Sequence, residues 1–79
     1  MPEVMLEDIQ RIIGLQLGIK KVGETARIVE DLGAESADIA NIIAAVESKY
    51  GIRMKESEIA RIFTPTDLYE AVLNHLKPA

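Results

Sequence analysis

Apolar residues recur at helical spacing in the middle of the chain, and this repeat limits the possible folds more than any other feature. Within residues 36–50 the repeat consists of Ile39, Ile42, Ile43, Val46 and Tyr50. Residues three and four positions apart share one face of an α-helix, so the segment predicts an amphipathic helix with one buried side. We expect Ser36 to be its N-cap and Gly51 to end it, because serine favours helix starts and glycine favours helix ends.

A second repeat predicts a helix over residues 3–17, followed by a long connection. Its apolar side consists of Met5, Ile9, Ile12, Ile13 and Leu17. Gly18 is expected as its C-cap. The connection that follows is long for a helical bundle. We expect Ile28, Val29 and Leu32 to anchor it against the core.

The remaining sequence predicts a short helix and a final long one. The short helix is expected over residues 58–62, with Ser57 as its cap. The last helix is expected to begin at Thr64-Pro65, where threonine can cap, proline suits the first turn and Asp67 can reach back. Its apolar side consists of Leu68, Val72 and Leu76, with Tyr69 and Leu73 beside them. No strand pattern outweighs these signals, so the sequence predicts an all-α fold, a small four-helix bundle of three main helices and one short helix.

The composition indicates one small domain with an aliphatic core. The 79 residues suffice for a single domain, which we expect to span residues 1–79. Of these residues 48% are apolar and only 4% are aromatic, so isoleucine, leucine and valine must fill the core. The chain has no cysteine, which excludes disulfides, cysteine-based zinc sites and a thiol nucleophile of its own.

The charge balance favours protein partners over nucleic acid or membranes. Nine basic residues against 13 acidic ones give a net charge of −4. Phosphate backbones attract basic surfaces, so a helix-turn-helix DNA binder is disfavoured, whereas partners with basic patches are the natural complement. No apolar run approaches the ~20 residues of a membrane helix, and the N-terminus does not resemble a signal peptide. We expect a cytoplasmic monomer.

Residue types that carry catalysis or bind metals are sparse. His75 is the only histidine, and a histidine near a helix end most often serves the helix dipole. The acids lack the spacing of a calcium loop, and the glycines form neither a GxGxxG nor a GxxxxGK[ST] motif. We therefore expect neither a catalytic nor a metal site, and an enzyme is the least favoured class.

The segment Val29–Asp38 places one serine after a glycine, at the start of a predicted helix and among acids. Two interpretations of Ser36 are open from these residues: a simple helix cap, or a site that carries a phosphate-linked group. The second is physically allowed because free backbone N–H groups and the helix dipole favour an anion at a helix start. Gly33 would keep the approach to the serine open.

Several fragments resemble one family in their order and spacing. Ile12–Gly18 resembles the end of that family's first helix, and Val29–Ser36 resembles the segment leading to its modified serine, usually written Asp-Leu-Gly-Ala-Asp-Ser-Leu. Val46-Glu47 and Tyr50-Gly51-Ile52 resemble the end of its second helix. The family is that of the acyl carrier proteins.

The resemblance implies a role as a carrier and not as an enzyme. A phosphopantetheinyl transferase would attach a 4′-phosphopantetheine arm to Ser36, and the thiol of the arm would hold acyl groups as thioesters. Acyl-loading and acyl-modifying enzymes would supply the catalysis, in fatty-acid synthesis or in specialised lipid or secondary-metabolite synthesis. In this family an acyl chain can enter between the helices. Ala40, Ala44 and Ala45 are expected either to leave room for it or to allow tight helix contacts.

The surroundings of Ser36 depart from the family pattern. The resemblance implies partner contacts at Glu35, Ala37, Asp38 and Glu47. The family usually has Asp and Leu at the two positions flanking the serine, and acids at the positions of Asn41 and Ser48. The chain also adds Lys49, Arg53 and Lys55. A face of mixed sign should bind housekeeping enzymes less well, so we expect a specialised carrier. The alternative is an unmodified helical protein-interaction module with the same fold.

Overall fold

Four helices make up the regular structure of the protein in a computed structural model that describes residues 4–77. The helices are α1 at Leu6–Leu17, α2 at Ser36–Tyr50, α3 at Glu56–Ile59 and α4 at Pro65–Leu76. The helix α1 packs against both α2 and α4. No strand occurs in residues 4–77, so the predicted all-α bundle of three main helices and one short helix is confirmed.

The apolar faces of the long helices and parts of the connections meet in one core. Its buried residues are Val4, Ile9, Ile13, Val22, Ile28, Ala34, Ile42, Ile43, Val46, Tyr50, Met54, Leu68 and Val72. Each large aliphatic side chain in this set contributes about 1.5–3 kcal/mol relative to exposure. The prediction for Met5 was wrong, because Met5 is 55% exposed and Val4 is buried in its place. Met5 is the N-cap of α1 and has an extended backbone, so it lies outside the helical repeat.

The connection from residue 18 to residue 35 lies over the core and is fixed at several points. Gln10 Nε2 donates to Val22 O at 2.6 Å, and Thr66 Oγ1 donates to Glu24 O at 2.8 Å. Ile28 is buried and Leu32 is partly buried, as predicted, but Val29 is 57% exposed and does not anchor the connection. Val22 and Ala34 are the buried residues that the spacing did not reveal.

The ends of α1 and α2 lie where the sequence predicts them, but α1 begins at Leu6 and not at residue 3. Gly18 and Gly51 adopt left-handed backbone conformations directly after α1 and α2, as predicted. The short helix begins at Glu56 and ends at Ile59, so the predicted span of 58–62 with Ser57 as cap was wrong. The Glu58 carboxylate accepts a hydrogen bond from the backbone N–H of Lys55 at 2.9 Å. That bond satisfies a free donor at the helix start and places Glu58 third in the helix.

Candidate functional site

The segment before Ser36 forms a closed turn that delivers the chain to the start of α2. Leu32 N and Gly33 N donate to Arg27 O and Val29 O at 3.0 and 3.1 Å, and Gly33 then turns the chain with a φ of 73°. Ala34 is buried, and its N–H bonds to Ile28 O at 3.1 Å. A residue with φ above zero is normally glycine, so Gly33 is required for this approach to the helix.

This turn is also fixed to the rest of the fold. Ile28 N donates to Phe63 O at 2.8 Å, which ties the turn to the connection before α4. Arg27 pairs with Glu30, and the hydrogen bond between them raises the pKa of Arg27. Arg27 N also donates to the Asp31 carboxylate at 2.9 Å. These hydrogen bonds therefore fix the position at which the chain enters α2.

Ser36 is the first residue of α2, and the prediction that it is the N-cap was wrong. The N-cap is Glu35, whose backbone is extended, and its N–H donates to the Asp38 carboxylate at 3.0 Å. Ser36 is exposed, and its hydroxyl makes no hydrogen bond to any other residue from 4 to 77. The hydroxyl is therefore not occupied in stabilising the helix and is open to a reagent.

The start of α2 suits an anionic group attached to Ser36. The first backbone N–H bonded within the helix is that of Ile39, which donates to Glu35 O at 3.0 Å. The N–H groups of Ser36 and Ala37 precede it and have no backbone acceptor within the described chain. Free N–H groups and the positive end of the helix dipole stabilise a phosphate at this place. The residues present thus fit a phosphodiester on the Ser36 oxygen.

The other residues implied by the resemblance fall into two groups. Glu35 and Ala37 are exposed beside Ser36. Asp38 and Glu47 are partly buried and hold backbone N–H groups, since Asp38 bonds Glu35 and Glu47 Oε2 accepts from Met54 N at 2.8 Å. Glu47 lies near the far end of the helix, so the structure brings only three of the four residues close to the serine.

An open apolar groove of about 560 Å³ runs from Ser36 between α2 and the segment that contains α3. It is lined by Ser36, Ile39, Ala40, Ile43, Ala44, Glu47, Met54, Glu56, Ile59 and Ala60. Ala40 and Ala44 line it, whereas Ala45 does not. The contributions of Met54 and Ile59 were not predicted. The sequence signal for them was weak, because a helix as short as α3 has no full apolar repeat.

The titratable groups His75, Glu58 and Tyr50 lie outside the groove. His75 Nε2 is 2.7 Å from Glu58 Oε2, a contact between α4 and α3 that the sequence did not indicate. The hydrogen bond from Lys55 N–H, followed by that from His75, holds the pKa of the Glu58 carboxyl below its ordinary value. Burial, with a smaller effect of Asp8, raises the pKa of Tyr50.

Residues 4–77 lack the features of a metal site and of a membrane-spanning helix. They contain no group of three or more histidines, aspartates and glutamates arranged to hold a metal ion. Nor do they contain a helix whose length and apolar character would let it cross a membrane.

Comparison with known proteins places residues 7–72 in the family described as "Phosphopantetheine attachment site". The chain is 34% identical over 70 residues to the acyl carrier protein of Helicobacter pylori. The match covers 86% of this chain and 90% of that protein. It is 33% identical over 66 residues to the acyl carrier protein of Wolinella succinogenes, with 81% of this chain and 87% of that protein covered.

Solved structures show the same fold. The fold is similar to that of 3-oxo-butyl-ACP from the actinorhodin polyketide synthase of Streptomyces coelicolor, with a TM-score of 0.71 and 24% identity over 92% of this chain and 91% of that one. It is also similar to the oxytetracycline acyl carrier protein, with a TM-score of 0.72 and 22% identity over 100% of this chain and 92% of that one.

Proposed function

Because the chain belongs to the phosphopantetheine-attachment family of acyl carrier proteins, we propose that Ser36 is the residue to which its 4′-phosphopantetheine arm is attached. Membership makes the protein an acyl carrier, and when bound the arm supplies a thiol that holds the acyl group as a thioester. The observation that carries the assignment to Ser36 is its exposed hydroxyl, free of hydrogen bonds in residues 4–77, at the first position of α2.

The attachment step uses the Ser36 oxygen as a nucleophile. Its oxygen forms a bond to the phosphorus of coenzyme A that bears the pantetheine group, and the pyrophosphate P–O bond on that phosphorus breaks. Adenosine 3′,5′-bisphosphate leaves, and the serine proton passes to a base of the transferase. Backbone N–H groups at the start of α2 stabilise the charge of the phosphodiester that forms.

Catalysis of acyl loading and acyl modification belongs to partner enzymes in this proposal. Glu35 and Ala37 are exposed on either side of Ser36, which makes them the first side chains that an approaching enzyme meets. Alanine in place of a large apolar residue offers such an enzyme little contact area. This supports service in a dedicated lipid or secondary-metabolite pathway. A carrier of this kind should restore growth poorly in a cell that lacks its main fatty-acid carrier, and restoration equal to that by the housekeeping carrier would contradict a dedicated role.

The test is the intact mass of the protein after incubation with coenzyme A and a broad-specificity phosphopantetheinyl transferase. We expect the wild-type chain to gain the mass of one phosphopantetheinyl group and Ser36→Ala to gain none. Ser48→Ala and Ser57→Ala are matched controls, since both serines are exposed and helical, and both variants should be modified like the wild type.

Unfolding measurements make the result of Ser36→Ala interpretable. Its hydroxyl has no partner within the described residues, so this variant should unfold like the wild type within about 0.5 kcal/mol. A folded wild-type chain that gains no mass would contradict the assignment and favour an unmodified interaction module. A full gain by Ser36→Ala would show that the arm is attached elsewhere.

A further inference from the structure

The exposed side of α2 carries no charge along most of its length. The residues of α2 that are exposed before Lys49 are Ser36, Ala37, Ala40, Asn41, Ala44, Ala45 and Ser48. The two carboxylates of the helix, Asp38 and Glu47, are partly buried and bonded to the backbone N–H groups of Glu35 and Met54. The acids of α2 are therefore used to fix the two ends of the helix.

Exposed charges of opposite sign lie beyond this neutral stretch. At the Ser36 end, Glu35 and Asp31 are exposed, whereas the exposed Glu30 is paired with Arg27. At the other end are Lys49, Arg53 and Lys55, all exposed and without an ion pair in residues 4–77. We name these three residues the distal basic group.

The distal basic group is held beside the last turn of α2. Ile52 N donates to Glu47 O at 3.1 Å, and Met54 N donates to Glu47 Oε2 at 2.8 Å. Arg53 lies between these two bonded residues, so the hydrogen bonds hold its backbone beside the helix end. The 15 residues of α2 separate the two charged ends by about 20 Å. This exceeds the screening length of about 8 Å at physiological salt, so a partner senses the two ends independently.

We propose that the enzymes served by this carrier dock along α2 with a surface of two signs, basic beside Ser36 and acidic about 20 Å away against the distal basic group. The inference rests on the proposed function, because attachment at Ser36 requires the partner to cover that end of the helix. A uniformly basic docking surface would place like charges opposite Lys49, Arg53 and Lys55, which lowers affinity and association rate. The uncharged stretch of α2 between the two ends lets a partner approach closely, because it repels neither the basic nor the acidic part of the partner's surface.

The experiment uses two probe enzymes and three carriers. The probes are a phosphopantetheinyl transferase with a basic docking surface and a variant of it in which the basic side chains facing the far end of α2 are changed to glutamate. The carriers are the wild type, K49E/R53E/K55E and the control R11E/K20E/K21E. The control reverses one arginine and two lysines, as the test variant does, but on exposed positions along the cleft between α1 and the connection. Far-UV circular dichroism confirms that each carrier is folded.

The measured quantity is kcat/KM for the mass gain at Ser36 at low salt. We expect the wild type and the control to be modified about tenfold faster by the glutamate variant of the transferase, whose surface has two signs, than by the parent transferase with the basic surface. For K49E/R53E/K55E the preference should reverse. If the wild type prefers the basic transferase, or if the control changes as much as the test variant, the docking proposal is wrong.

Other outcomes also decide between the proposals. Absence of mass gain in every combination would overturn the proposed function together with the docking surface, whereas mass gain without the reversal of preference overturns the docking surface alone. Sedimentation tests whether a second copy of the chain covers the exposed side of α2 instead of an enzyme. A wild-type dimer that K49E/R53E/K55E converts to a monomer would show that a second copy covers α2, and it would contradict the proposal.

Discussion

Gly14→Ala places a methyl group against the main chain of the connection after α1, and we expect it to destabilise the protein. Gly14 is buried within α1, and a Cβ there would lie 2.6 Å from the carbonyl oxygen of Ile19 and 3.4 Å from Val22 Cγ2. Relief of the first contact requires about 0.8 Å of movement by backbone atoms. The same backbone is held by the hydrogen bond from Ile19 N to Gly14 O at 2.9 Å.

Two opposing effects set the size of the change. Alanine is better than glycine in a helix by about 1 kcal/mol, which would stabilise the variant. Inserting a methyl group into a packed site costs about 1–3 kcal/mol, and the upper part of this range applies because a carbonyl cannot rotate away as a side chain can. The net expectation is a loss of about 1–2 kcal/mol in the free energy of unfolding.

Urea unfolding followed by far-UV circular dichroism measures this difference. For a small domain, a loss of 1–2 kcal/mol lowers the midpoint by about 1–2 M. Ser48→Ala is the control, since Ser48 is exposed on α2 and should gain only a few tenths of a kcal/mol from helix propensity. A midpoint for Gly14→Ala at or above that of the wild type would refute the close approach of Ile19.

Three further predictions concern stability. Thr64→Ala should lower the free energy of unfolding by about 1 kcal/mol, because Thr64 Oγ1 accepts the N–H of Asp67 at 3.1 Å; an unchanged urea midpoint would contradict this cap. Ser36→Ala should leave the same midpoint unchanged, and a loss as large as that of Thr64→Ala would show that Ser36 is a cap after all. The lowered pKa of Glu58 adds stability above its ordinary value of 4.5 that is lost as the pH falls through the folded-state value. Urea titrations from pH 7 to about 3 should therefore show Glu58→Gln less stable than the wild type at neutral pH and equal to it in acid, and a constant difference would refute the linkage.

The main helices were predictable because their information is local and periodic. Every apolar residue assigned to the core side of α2 is buried or packed against the core. Glycines end α1 and α2 because their left-handed φ values are open to few other residues. The bounds of α3 were not predictable, since four residues contain little more than one turn and the bond between Lys55 N and Glu58 sets its start.

The candidate site was predictable in sequence position but not in geometry. The segment before Ser36 has a recognisable pattern, and the serine does lie at the start of a helix. Its role as cap was wrong because an extended backbone at Glu35 shifts the cap by one residue, and Asp38 then satisfies the free N–H. Val29 and Met54 show the same limit. Which of them is buried depends on how distant segments pack, and residue type alone does not reveal this.

Location of the phosphopantetheinyl group by peptide fragmentation tests the central claim most directly. The protein is purified from its own cells and cleaved at arginine, and the peptides 28–53 and 54–61, which together contain Ser36, Ser48 and Ser57, are fragmented in the mass spectrometer. We predict that the added mass maps to Ser36 in every modified molecule. The account would be contradicted if the mass mapped to Ser48 or Ser57, or if no modified peptide were found even after incubation with coenzyme A and transferase.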